Sequence, residues 1–329
     1  MKSKTNSGIF NTIFSLSVVF GAVFTPNLSH AEESWPAKPI RLVVGFPPGG
    51  SSDVMGRLIA SHLSKELNAT VFVENKPGAT TQIATEFVSK AAPDGYTLLS
   101  AASSSFTTLP HLRKLQYGLD SFDFIGGVAN YIAVLAVKQD LPVANMREFI
   151  EYAKAHPGKL AFGSAGEASA GHVYGGIMAR DTGIDVLHVP FKGSAAAVNA
   201  LLAGDVDFVI DGAVSQMAGS GRAKPLASLY HRRHPGLPNV STAAEAGFPI
   251  EMSKGASFGV VAPKGLPRDV AEKLTQALAK VVAGKTFQDE LSRANSIASW
   301  QTPKDYKSGL LVDQKMYEKL LPEIGVKGN

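Results

Sequence analysis

The stretch "IRLVVGFPPGGSSD", Ile40 to Asp53, decides the fold. A β-rich apolar run breaks at Pro47, Pro48, Gly49 and Gly50. Met55, Leu58, Ile59, Leu63 and Leu67 then recur at the spacing of one helix face. A strand passing through a glycine loop into a helix is the first step of an α/β unit. The prolines stiffen the loop, and the glycines permit positive φ and close main-chain approach. Ser51 or Ser52 suits the helix cap, and Asp53 suits its first turn. Such a turn aims N–H groups at one spot beside a positive helix end, which is an anion site. The same residues also make an ordinary capped strand-to-helix turn, and the stretch alone fits both readings. It is not a Walker A loop, having no Lys before Ser51. Nor do Gly45, Gly49 and Gly50 have dinucleotide-loop spacing.

The unit recurs outward from this point. "TVFVEN" (Thr70 to Asn75) and "YTLLSAA" (Tyr96 to Ala102) read as strands, with Ile83, Ala84, Phe87, Val88 and Ala91 marking a helix between them. The rhythm restarts at "YIAVLAVK" (Tyr131 to Lys138). There follow a helix with Asn145 as N-cap, the strand "KLAFGSAG", a helix from His172, the strand "VLHVPF", a helix capped by Ser194, and the strands "DVDFVID" (Asp205 to Asp211) and "KPLASLY". "SFGVVAP" and two or three helices close the chain. The expectation is an α/β protein with a mainly parallel sheet in each of two lobes. Lobe I takes residues 32–130 plus 248–329 and lobe II takes 131–247. Two chain crossings would then leave a ligand cleft between the lobes.

Three loops at strand ends carry small hydroxyl residues. One is the glycine loop. The second offers Ser103, Ser104, Ser105 and Thr107 after the third strand. The third is "GSAGEASAGH", Gly163 to His172. Facing one cleft, they suit a small polar ligand.

Composition narrows the setting. Lys2 and Lys4 precede a mostly apolar run from Ile9 to Phe24, and Ser29-His30-Ala31 places small residues at a cleavage site after Ala31. This reads as a signal peptide at residues 1–31, with a lone membrane anchor as the alternative. The chain has no cysteine, which excludes disulfides, thiolate chemistry and a lipidated N-terminal cysteine. Export then points to the periplasm. The formal net charge is +4, of which Lys2 and Lys4 supply two. "HRRH" at His231 to His234 is the densest basic knot, too short to argue for nucleic acid and without a third metal ligand. No metal or cofactor is expected.

"WPAKPIRLVVGFPPGGSSD", "VENKPGA", "AAPDGYTLL", "HPGKLAFGSAG", "HVPFKGSAAAVNALLAGDVDF" and "LPNVSTAAEAGFP" run through most of the chain in order. In content and spacing they resemble the Bug-type periplasmic solute receptors of tripartite tricarboxylate transporters. The resemblance implies a two-lobed periplasmic binding protein of the Venus-flytrap kind, type II-like. Such a receptor takes up a small carboxylate metabolite, a dicarboxylate or an aromatic acid, and delivers it to a membrane permease; a monomer is expected. It further implies that loop amides, hydroxyls and ordered waters hold one carboxylate in the first lobe, with no arginine clamp. Those positions are here Phe46, Pro48, Gly49, Gly50, Ser51 and Ser52, together with Ala102, Ser103, Ser104, Ser105 and Thr107. Ser164, Ala165, Gly166, Glu167, Ser169, His172 and Asp211 would meet the outer part of the ligand. The chain departs from the family at Glu167 to Gly171, where Asn-Gly-Thr-Pro-Ser is frequent, and at Ser257, where Trp is. Facing the cleft, Glu167 would repel a second carboxylate or attract an amine; otherwise it is a solvated loop acid.

Two other classes remain. A sensor subunit signalling to a membrane kinase would share the fold. A serine hydrolase would draw on Ser164, His172 and Asp211, but Ser164 lies outside G-x-S-x-G and no spacing here specifies a triad. The reading is a binding protein and not an enzyme.

Overall fold

The computed structural model describes residues 35–218, 221–248, 256–294 and 296–326. The signal segment and the site after Ala31 lie outside these. In chain order the elements are β1 (Ile40–Val44), α1 (Ser51–Leu67), β2 (Val71–Asn75), α2 (Gln82–Ser89), β3 (Thr97–Ala102), α3 (Ser104–Thr107) and β4 (Phe122–Tyr131). Next come β5 (Val134–Lys138), α4 (Met146–Ala155), β6 (Leu160–Ser164), α5 (Ala170–Thr182), β7 (Val186–Pro190), α6 (Ser194–Ala203), β8 (Phe208–Ile210), α7 (Ser215–Ala218) and β9 (Ala223–Ser228). The chain closes with β10 (Ser257–Pro263), α8 (Arg268–Ala283), α9 (Lys285–Arg293), β11 (Ser296–Gln301) and α10 (Pro303–Glu323).

The strands form two sheets, one per lobe. The first runs β11-β4-β10-β3-β1-β2 and the second β7-β6-β8-β5-β9. β1 is buried at four of its five residues, as expected of a parallel strand covered on both faces. It pairs in parallel with β2 (Ile40 opposite Val71) and with β3 (Arg41 opposite Thr97). Both sheets are nonetheless mixed, not mainly parallel. β10 is antiparallel to β3 and β4, and β5 is antiparallel to β8 and β9. The crossings explain this. β4 ends and β10 begins at the boundary between the lobes, where β3 also ends. A strand entering from that boundary must run against those that finish there.

The hydrophobic pattern sets the helices on the sheets. Met55, Ile59, Leu63 and Leu67 of α1 are all buried. Gly56 lets α1 lie close, since a Cβ there would stand 2.5 Å from Val44 Cγ2. Asn145 caps α4 by accepting from the Glu148 amide at 3.0 Å, as its sequence position predicts. The crossings are tied by the Tyr131 amide to the Ala256 carbonyl at 2.7 Å and by the Leu229 amide to the Ala133 carbonyl at 2.8 Å. The end of α10 reaches the second lobe, where Glu323 pairs with Arg180 at 2.8 Å.

Candidate functional site

Three helices begin at one place. α1 of the first lobe starts at Ser51, and α5 and α6 of the second start at Ala170 and Ser194. First-turn N–H groups have no intrahelical carbonyl to bond, and each helix end carries a partial positive charge. Their starting residues border one chamber of about 50 Å³ between the lobes. Phe46, Ser52, Ser103, Ser104, Tyr131 and Ser257 also face it. Among the described residues no Lys, Arg or His lines this chamber. An anion held here would be met by amides, hydroxyls and helix ends.

Among the described residues Asp211 is the one charged residue of the lining. It lies at the end of β8, 4% exposed. Its carboxylate accepts from Ser194 Oγ at 2.6 Å, the Ala213 amide at 2.8 Å and Ser51 Oγ at 3.4 Å. Tyr131 bonds it as well. Burial pushes its pKa up, and the donors from Ser194, Ala213, Tyr131 and Ser51 pull it back. Ser51 belongs to the first lobe and Ser194 to the second, so the carboxylate bridges the two. Its acceptor capacity is committed to the fold. The hydroxyl of Ser194 therefore serves Asp211, and the cap position of α6 is Gly193.

The predicted residues divide into two groups. Phe46, Ser51, Ser52, Ala102, Ser103, Ser104, Ala165, Ser169 and Asp211 line the chamber. The others do not. Pro48 borders a smaller crevice nearby, alongside Gly50. Gly49 has φ +87° and open space where a Cβ would lie. Its amide donates to Asp53 at 2.9 Å and is spent inside the loop. Asp53 also accepts from Arg57 at 2.9 Å and Asn75 at 2.8 Å. Burial pushes its pKa up, but the bonds from Arg57, Gly49 and Asn75 outweigh that and hold it below the usual range. Ser105 Oγ pairs with Thr81 Oγ1 at 2.7 Å, and Thr107 Oγ1 donates to the Ser103 carbonyl at 3.0 Å. Ser164 Oγ lies 2.7 Å from His188 Nε2 and 3.0 Å from the Gly166 carbonyl oxygen, to which it donates. His172 stacks on His188 with ring centroids 3.7 Å apart. Ser164 and His172 thus both meet His188, whereas Asp211 belongs to a separate network with Ser194 and Ser51, and the three do not assemble as a triad.

Gly166 and Glu167 line a second, outer chamber of about 500 Å³. Glu167 faces the gap between lobes there, its carboxylate 3.5 Å from Arg113. Sequence reasoning missed Tyr131, Ala170, Gly171, Ala256 and Phe258 of the inner lining, and took Ser194 only as a helix cap and Ser257 only as a departure from the family. Tyr131, Ala256 and Phe258 sit at the crossings, whose location depends on the antiparallel pairing of β10. In "HRRH", His234 is buried and accepts from the Gly236 amide at 3.0 Å, whereas Arg233 pairs with Glu245 on the surface.

Comparison with known proteins agrees with this geometry. A family model described as the tripartite tricarboxylate transporter family receptor matches residues 55–324. The UPF0065 protein in the gbd 5' region of Cupriavidus necator is 31% identical over 316 residues, 95% of each chain. Protein BugT of Bordetella pertussis is 32% identical, covering 90% of this chain and 92% of that one. Among solved structures, Rpa4515 of R. palustris with adipate superposes with a TM-score of 0.84 at 28% identity, covering 90% of this chain and all of that one (100%). The periplasmic binding protein BugD gives 0.81 at 30% identity, covering 90% and 100%. MatC of Rhodopseudomonas palustris with bound malate gives 0.80 at 27%, covering 87% and 100%. Among the described residues no helix is long and apolar enough to cross a membrane. With two lobes, a chamber of neutral donors between them and a family match over most of its length, the chain belongs to the tripartite tricarboxylate transporter receptor family as a Bug-type solute-binding protein.

Proposed function

We propose that the protein captures a small organic carboxylate in the periplasm by closing its lobes and, as a monomer, delivers it to a tripartite tricarboxylate-type permease. The observation that carries this reading is the convergence of the α1, α5 and α6 starts on a hydroxyl-lined chamber. Solved relatives hold adipate and malate, which supports the carboxylate class. In this reading lobe I is 32–130 plus 248–329 and lobe II is 131–247, with the crossings as hinge. The Ser51 amide and the hydroxyls of Ser52, Ser103 and Ser104 serve the carboxylate from the first lobe, and Ser169 and the amides that open α5 and α6 meet it from the second. A hydrogen bond to a charged group nets about 1.5–3 kcal/mol. Four reach micromolar affinity, roughly −8 kcal/mol, less the cost of closure.

A melting screen tests it. A carboxylate at about a hundredfold excess over its Kd stabilises the native state by roughly 2.7 kcal/mol, a shift of several degrees. The reading fails when dicarboxylates and aromatic acids leave the melting temperature unchanged while neutral sugars raise it. Capture by immobilised permease periplasmic loops, against a sensor-kinase ectodomain as control, tests delivery.

A further inference from the structure

Two chambers lie in series between the lobes, and Phe46 and Ala165 line both. The inner one holds about 50 Å³. A water-sized group takes about 10–15 Å³ by this measure. The inner chamber therefore admits roughly four such groups, the bulk of a carboxylate and the carbon that bears it. The rest of any ligand seated there lies beyond Phe46 and Ala165, in the outer chamber of about 500 Å³.

The outer wall is mostly carbon. Pro47, Pro77 and Ala79 come from the first lobe, and Pro190 and Phe191 from the second. Its cations are poorly placed to hold a second acid. Arg113 already faces the Glu167 carboxylate at 3.5 Å, so the neighbouring acid offsets its charge. Lys192 is exposed, where solvent screens its charge. A second carboxylate would leave water for apolar wall and a neighbouring acid, which is unfavourable. An apolar body gains in proportion to the area it buries.

Resting on the function proposed above, we infer that the ligand is an amphipathic monocarboxylate. Its head occupies the inner chamber, and its body, apolar and at least ring-sized, packs on Phe46 and Phe191. This departs from the dicarboxylates seen in the adipate- and malate-bound relatives.

Calorimetric titration of the purified protein with 3-phenylpropionate, adipate, succinate and propionate tests it. The expected order places 3-phenylpropionate at least about tenfold tighter than adipate or succinate. Phe191→Ala weakens 3-phenylpropionate about tenfold and leaves propionate, read by competition at millimolar concentration, within about twofold. Phe191→Leu, which preserves a large apolar side chain, recovers most of the loss. Adipate or succinate binding as tightly as 3-phenylpropionate overturns this inference and leaves the carboxylate receptor standing. An absence of binding by every acid overturns both. Equal losses for 3-phenylpropionate and propionate in Phe191→Ala also overturn the inference, because they place Phe191 in the scaffold and not against the body.

Discussion

Thr80 Oγ1 donates a hydrogen bond of 2.8 Å to the main-chain carbonyl of Glu167, joining a turn of the first lobe to the site loop of the second. The turn that supplies Thr80 is costly. Ala79, Thr80 and Thr81 have φ of +47°, +50° and +82°, three consecutive non-glycine residues in the left-handed region. Each costs about 1–2 kcal/mol there. Thr81 is compensated inside its own lobe by the bond to Ser105 and by packing over Gly45, where a Cβ would stand 2.8 Å from Thr81 Cβ. Thr80 is compensated across the gap, and opening the lobes breaks that tie.

Thr80→Gly therefore separates two properties that usually move together. Glycine adopts φ +50° without steric penalty, so unliganded stability rises by about 1 kcal/mol. The lost tie weakens ligand binding by about fivefold, the worth of a net hydrogen bond near 1 kcal/mol. Thr80→Val loses the tie and keeps the strain, so binding falls without a gain in stability. Urea unfolding and calorimetry read the two quantities. Thr80→Gly that binds as tightly as wild type shows the tie to be incidental.

Asp211→Ala is expected to destabilise the folded protein by about 2–4 kcal/mol. It strips the acceptor from Ser194, Ser51, Tyr131 and the Ala213 amide at one buried point, and unmet buried donors cost about 1–3 kcal/mol each. Asp211→Asn retains one acceptor oxygen, and the serine hydroxyls can turn to accept from its amide, so its loss is less than half as large. Chemical denaturation with an unchanged m value checks the ranking. Equal midpoints for both variants would remove the carboxylate from the scaffold role.

The stacked imidazoles make stability depend on pH. Burial, then the neighbouring His172, lowers His188 to about 3. Burial also lowers His172, against the opposing pull of Glu167. Their rings lie at an angle of 9°, and Arg113 borders the same pocket. Unfolded histidines titrate near 6.5, so the unfolded chain binds more protons below that value. The stability is fully present above about 6.5 and lost as pH falls toward 3. Melting temperature should decline from pH 7 to 4.5. His188→Gln has no proton to take up yet can still bond Ser164, so it declines less steeply. Parallel curves for the two proteins would assign the dependence elsewhere.

The sequence carried the local order of the fold because each strand and helix had its own periodicity and punctuation. Asn145 capped as its position indicated, and the α1 face Met55, Ile59, Leu63 and Leu67 buried as spaced. Strand direction was not legible, since apolar runs such as β10 read alike in either orientation. The glycines that admit aromatic rings were also hidden. A Cβ at Gly259 would stand 2.3 Å from Tyr306 Cε1, a contact between residues far apart in the chain. Within the candidate site, hydroxyl-rich loops were visible, but not which hydroxyls face inward. Ser104 and Ser105 are neighbours on α3, and their side chains leave the helix in different directions. One meets the chamber and the other meets Thr81.

That divergence yields the sharpest check of the site. Ser52 and Ser104 line the inner chamber, while Ser105 and Thr107 bond within the first lobe. Removing a hydroxyl that donates to a bound carboxylate loses about 1.5–3 kcal/mol. Ser52→Ala and Ser104→Ala should therefore weaken the best-binding acid about tenfold or more, with melting temperatures of the unliganded protein close to wild type. Ser105→Ala and Thr107→Val should do the reverse. Each costs stability, because Thr81 Oγ1 loses its partner in the first case and the Ser103 carbonyl loses a donor in the second, and each leaves affinity within about twofold. Affinity and unliganded melting temperature measured on all four variants separate ligand contacts from scaffold. Losses of affinity that fall equally on all four would move the carboxylate away from this chamber.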